Sequence, residues 1–227
     1  MAEVIEISRM ALHEQVTSRL RAMLIEGRIA PGAKLNEREL SEQLSVSRTP
    51  LREAIKLLAA EGLVDLLPNR GAVAVKLTEA DVLNAFEVLG GLEAMSGELA
   101  AQRVTDEERA EIRAMHYEML ACFTRRDLSG YYAMNARIHA AINAAAKNPV
   151  LTSTYQSLNA RVQALRFRTN QNDAKWKLAM KEHEQMVDAL DARDGKALAA
   201  ILTQHLINKR DTVIALMRAG AVYAEVR

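Results

Sequence analysis

Residues 36–76 read NERELSEQLSVSRTPLREAIKLLAAEGLVDLLPNRGAVAVK, and this stretch decides the fold. It spells helix, tight turn, helix and two-stranded hairpin. Asn36 is placed to cap the first helix, with Glu39 three residues on, the spacing of a capping box. Leu40 and Leu44 lie one turn apart and supply that helix's buried face. Ser45 and Val46 make the turn. Ser47 is placed to cap the second helix, and Pro50 falls in its first turn, where a missing N–H costs little. Gly62 ends it. Residues 63–67 and 72–75 are short strands joined by the turn residues Pro68, Asn69, Arg70 and Gly71.

The second helix carries the chemistry. At 100° per residue, Arg48, Thr49, Arg52 and Lys56 share one face, while Leu51, Ala54, Ile55 and Leu58 lie to the other side. Three cations at i, i+4 and i+8 repel one another on a bare helix. They make sense against a polyanion. A helix fits the DNA major groove, where arginine bonds guanine edges and serine or threonine reaches bases or phosphates. The alternative is a helical hairpin with a solvated basic face. The ordered set of caps, turn and hairpin wing favours DNA.

The same stretch resembles the winged helix-turn-helix of GntR-type bacterial transcription regulators. NERELSEQLSVSRTPLREAIKLLAAEGLV and the PNRGAVAV wing carry the likeness, which runs from about residue 10 to residue 76. The resemblance implies DNA contacts at Arg38, Ser47, Arg48, Thr49, Arg52 and Gly71. Ser45 stands where such turns usually have glycine, so mild strain is expected there. A homodimer is also expected, because one short recognition helix reads few bases and twofold pairing doubles the readout on a palindrome.

The chain has 227 residues, enough for two modest domains, and its 49% hydrophobic content supplies a core. Formal charge is only +1. DNA affinity must therefore come from where the cations sit rather than from their number, which speaks against a purely architectural DNA-binding protein. Cys122, the single cysteine, excludes an intrachain disulfide. No apolar run reaches the ~18 residues of a membrane span. MAEVIEISRM is acidic and does not read as a signal peptide, so a cytoplasmic protein is expected.

Ahead of the central stretch, residues 1–8 read as a loose arm. Residues 9–26 read as an amphipathic helix with Leu12, Val16, Leu20, Met23 and Leu24 on one side. A domain boundary is expected after residue 76. Beyond it the fold expected is mainly α: six helices at roughly 79–103, 106–126, 129–146, 149–171, 174–193 and 195–219, with no strand. Capping boxes at Thr78/Asp81 and Thr105/Glu108, Asn148-Pro149 and Asp194-Gly195 mark their ends. Residues 221–227 are expected to fray.

Three histidines stand out in this half. His139 follows Asn135 by one turn on the same face, His183 lies in KEHEQMVDAL, and His205 lies in LTQHL. Three helices can bring three imidazoles to one point, and imidazole suits zinc and similar divalent ions. Spacings this long are no metal signature in themselves. His13 and His116 read as surface or packing residues.

Residues 78–219 resemble the all-helical effector domain of FadR-type GntR regulators, through GGLEAMSGELAAQR, NARIHAAINAAAKNP, KEHEQMVDALDARD and TQHL. In metal-binding members an Asp-x-x-x-His pair and two later histidines hold a divalent ion. The likeness carries that role to Asn135, His139, His183 and His205, with zinc the expected metal and asparagine replacing the aspartate. It also implies a small-molecule effector, with a carboxylate expected. Many members place an arginine just before the Leu-Glu pair of the first helix. Here Leu89 stands there, and Arg137, Arg161, Arg166 and Arg168 are not assigned its role. The function implied is a ligand-responsive DNA-binding regulator. The alternative is a metal-dependent enzyme using the histidine cluster.

Overall fold

The computed structural model describes residues 12–68, 70–168 and 173–220. The N-terminal arm, Asn69 of the wing turn, residues 169–171 and the C-terminal end, on all of which expectations fall, lie outside the described residues. Among these the chain divides into two compact units, one running to Lys76 and one from Leu77.

The first unit holds α1 (Leu12–Ile25), β1 (Lys34–Leu35), α2 (Glu37–Leu44), α3 (Arg48–Ala60), β2 (Val64–Leu67) and β3 (Gly71–Ala74). Its strands form an antiparallel sheet in the order β1-β3-β2, with Leu35 opposite Ala72 and Val64 opposite Ala74. Leu20, Leu51, Ala54 and Leu58 are fully buried between α1 and α3. Leu12, expected on that buried side, is instead 54% exposed. It opens the first turn of α1, while the residues that pack on the core begin at Val16.

Asn36 caps α2 as expected: its Oδ1 accepts from the backbone N–H of Arg38 and Glu39. Ser45 is left-handed, at φ +53°, where a Cβ is strained. Ser47 occupies the N-cap position of α3, but its side chain makes no capping bond.

The second unit is a bundle of α4 (Glu79–Arg103), α5 (Asp106–Thr124), α6 (Leu128–Ala145), α7 (Pro149–Arg168), α8 (Asp173–Asp191) and α9 (Gly195–Arg218). Both capping boxes form, at the starts of α4 and α5. α4 and α9 run antiparallel in close contact. Gly97 makes this possible: a Cβ there would lie 2.8 Å from Leu202 Cδ1. Arg218 of α9 pairs with Glu79 at the other end of α4. α6 runs parallel to α4, tied by Asn143 Nδ2 donating to Ser96 Oγ at 2.7 Å.

Candidate functional site

α6, α8 and α9 each carry one histidine into the bundle. His139, His183 and His205 are all buried. Their ring centroids stand 5.3, 5.4 and 4.8 Å apart in pairs, and one ring nitrogen from each falls within 4.8 Å of the others. Residues separated by 44 and 22 positions thus meet at one point.

The outer ring nitrogens are oriented by neighbours. His205 Nδ1 lies 2.6 Å from Glu182 Oε2, and His183 Nδ1 lies 2.7 Å from the Ala179 carbonyl oxygen. His139 Nδ1 is 3.2 Å from Glu93 Oε2, within charge contact but not aligned as a hydrogen bond. An oxygen facing Nδ1 holds the proton there and leaves Nε2 with its lone pair, the tautomer a metal ligand requires. The Nε2 atoms of His139 and His183, and Oδ1 of Asn135, are buried without a hydrogen-bond partner among the described residues. Buried acceptors left this way are costly. A divalent ion would satisfy them, and three imidazoles with an amide oxygen are a donor set that fits one.

Electrostatics agree with that use. Burial, and then the neighbouring His139, hold His183 well below the ordinary imidazole value, so it stays neutral as coordination requires. Burial pushes Glu182 upward, opposed by its bond from Asn208 and by the charges of Lys209 and Lys175. Tyr155 Oη donates to the far oxygen of Glu93 at 3.4 Å.

Two carboxylates here escaped the sequence reading. Glu182 is next to His183 in sequence, and neighbours on a helix point apart. It does point away from His183, and in doing so it meets His205 on the next helix. Glu93 belongs to the Leu-Glu pair already singled out, but no spacing linked it to His139. Leu89 is fully buried, so an apolar side chain does fill that level of α4. Arg137 and Arg161 are exposed. The side chains of Arg166 and Arg168 lie outside the described residues. His116 is buried, in keeping with the packing role among the two expected for it.

In the first unit, Arg48, Thr49, Arg52 and Lys56 are exposed along one side of α3, opposite buried Leu51, Ala54, Ile55 and Leu58. The cations are not left to repel one another as a bare helix would have it. Arg52 Nε donates to Glu37 Oε2 at 2.8 Å, and Lys56 pairs with Glu53 at 2.8 Å. Arg38 pairs with Glu42 at 3.2 Å. Solvent-exposed pairs of this kind are worth little, so they orient the cations without withholding them from a phosphate or base. Gly71, at φ +86°, opens β3 beside exposed Arg70.

Comparison with known proteins gives two family matches. Residues 12–73 match the model for bacterial regulatory proteins of the gntR family, and residues 84–208 match the FCD domain. The chain is 27% identical over 195 residues to the HTH-type transcriptional repressor RspR of Escherichia coli, covering 86% of each. It is 30% identical over 206 residues to the Nta operon transcriptional regulator of Aminobacter aminovorans, covering 88% of this chain and 93% of that one. Among solved structures it is similar to E. coli McbR/YncC, at a TM-score of 0.81 and 21% identity, over 91% of this chain and 99% of that one.

Proposed function

The chain belongs to the gntR family of bacterial regulatory proteins, with an FCD domain as its second half, and on that premise we propose how this ligand-responsive DNA-binding regulator works. It binds a palindromic operator as a homodimer, through Arg38, Ser47, Arg48, Thr49, Arg52 and Gly71. It senses a small carboxylate beside a divalent metal, zinc by expectation, that Asn135, His139, His183 and His205 hold. The convergence of three buried imidazoles, two of them with an unpartnered Nε2, carries this reading.

The ligating atoms are themselves neutral and cancel none of the ion's charge, and such an ion attracts anionic oxygen. For regulation, the effector must bind the DNA-competent and DNA-incompetent arrangements with different affinity. The relatives are named as regulators, which supports a role without turnover. The metalloenzyme alternative needs a general base facing substrate. The buried carboxylates Glu93 and Glu182 both sit against imidazoles instead.

Two measurements test the proposal. Protein dialysed against zinc should retain about one ion per chain by elemental analysis. Selection from randomised duplex DNA should enrich a palindrome. Retention of no ion would overturn the metal-centred pocket, and enrichment of a single half-site would overturn the dimer.

A further inference from the structure

The ion pairs on the basic side of the helix-turn-helix are not all alike. Arg38 pairs with Glu42 and Lys56 pairs with Glu53, each within its own helix at i, i+4 and i, i+3 spacing. Arg52 of α3 pairs with Glu37 of α2, 15 positions away in sequence. Among the described residues, this is the one pair that ties a cation of α3 to the other helix of the motif. It fixes the guanidinium to the frame of the helix-turn-helix rather than to its own helix alone.

The carboxylate is a well-held anchor. Glu37 is the first residue of α2, and Asn36 pins that end of the helix by accepting from the backbone N–H of Arg38 and Glu39. The helix dipole favours an anion in this first turn. The Glu37 side chain is 33% exposed and that of Arg52 is 59% exposed. The acid is thus the sheltered member of the pair, and the guanidinium is the member that faces out.

The atoms used decide what remains for DNA. Glu37 Oε2 accepts from Nε of Arg52 at 2.8 Å. Arginine has five N–H donors, and a guanine edge offers two acceptors, O6 and N7. With the Nε side taken, a two-point contact is made end-on, through the two terminal nitrogens. An arginine without such a partner, flanked one turn to either side by Arg48 and Lys56, turns to a phosphate as readily as to a base, and a phosphate contact carries no sequence information. A carboxylate beside the guanidinium repels phosphate and aims the fork at a base edge.

Resting on the assignment of Arg52 to base reading above, we propose that Glu37 is a positioning residue for operator recognition. It buttresses Arg52 end-on to a guanine and turns a general cation into a base-specific one. Its contribution is to specificity at one base pair rather than to total affinity.

Selection from randomised duplex DNA by the full-length chain gives the preferred duplex. Competition titrations against single-base variants of that duplex, at fixed salt, then give the preference at each base pair. Arg52→Gln marks the pair that Arg52 reads, because glutamine favours adenine where arginine favours guanine. At that pair Glu37→Ala should lower the guanine preference about tenfold, the size of a lost bidentate discrimination, and leave the other preferences within about twofold. A scrambled duplex should bind Glu37→Ala at least as tightly as wild type, since the variant loses a negative charge facing DNA. Glu37→Gln keeps an acceptor for the Nε–H and should hold the guanine preference within about threefold of wild type. An unchanged guanine preference in Glu37→Ala would overturn the proposal. So would a loss spread evenly over all base pairs with a lowered melting temperature, which would make Glu37 a support of the fold. If Arg52→Gln shifted no preference at all, the reading role of Arg52 would fail first, and the buttress with it.

Discussion

Glu182 on α8 reaches across to α9 and sets its Oε2 2.6 Å from Nδ1 of His205. The same carboxylate accepts from Asn208 through its other oxygen. One residue therefore orients the third imidazole of the cluster and ties α8 to α9. Glutamine in its place can present an N–H to Nδ1 and favour the wrong tautomer. Glu182→Gln should lower metal affinity about 10–100-fold, the usual cost of losing an outer-shell partner. Competition against a chelator of known affinity measures it, and an unchanged constant would show that the contact plays no part in metal binding.

Asn135 contributes an amide oxygen but no charge. An aspartate there adds Coulombic attraction of order several kcal/mol, much of it offset by the cost of burying the carboxylate. A net gain of about tenfold in metal affinity is expected for Asn135→Asp. The extra negative charge should also weaken binding of an anionic effector. Metal content after dialysis and calorimetry with acetate read the two effects. Stronger metal binding together with stronger acetate binding would contradict the charge argument.

Acid should destabilise the metal-free protein. Burial holds both His183 and His116 below the ordinary histidine value of 6.5. Their folded-state values are depressed, so the unfolded chain takes up protons first as pH falls. The stability tied to their neutral forms is complete above the unfolded value and is lost as pH falls toward the folded value. Urea midpoints of metal-free protein should drop below about pH 6.5. Protons compete with the metal over the same range, so occupancy should fall too. A midpoint constant from neutrality to about pH 5 would refute the linkage.

Arg48→Ala and Arg52→Ala should each abolish specific DNA binding without unfolding the first unit. Each removes ~1–3 kcal/mol if it reads a base, and a dimer loses it twice. Arg52 shares an exposed pair with Glu37, so stability should change by less than about 1 kcal/mol. Gel-shift titration at fixed salt and a thermal melt separate the two readouts. Equal affinity in wild type and Arg52→Ala would remove α3 from the reading role.

Ser45→Gly should stabilise the first unit by about 0.5–1 kcal/mol, because glycine adopts the left-handed turn without Cβ strain. The gain is partial, since glycine is more disordered in the unfolded chain. A denaturant midpoint that does not rise would mean that the turn stores no strain.

Local physics made much of this protein legible from sequence. Capping residues, the Gly62 stop and helical periodicity depend on neighbours a few positions away. Asn36, Thr78 and Thr105 accordingly cap the helices their spacing announces. The basic face of α3 follows from 100° geometry in the same way. Ser47 shows the limit of such reasoning. A residue suited to capping occupies the right position, yet its side chain makes no capping bond. The three histidines were visible as residues and, through resemblance, as a set. Their meeting point depended on how α6, α8 and α9 pack, and separations of 44 and 22 residues carry no angular information about that. Only the tertiary structure could place Glu182 on His205 and Glu93 on His139. Each of these relationships joins two helices, and the register between helices is set by the summed packing of the bundle, including the close approach at Gly97.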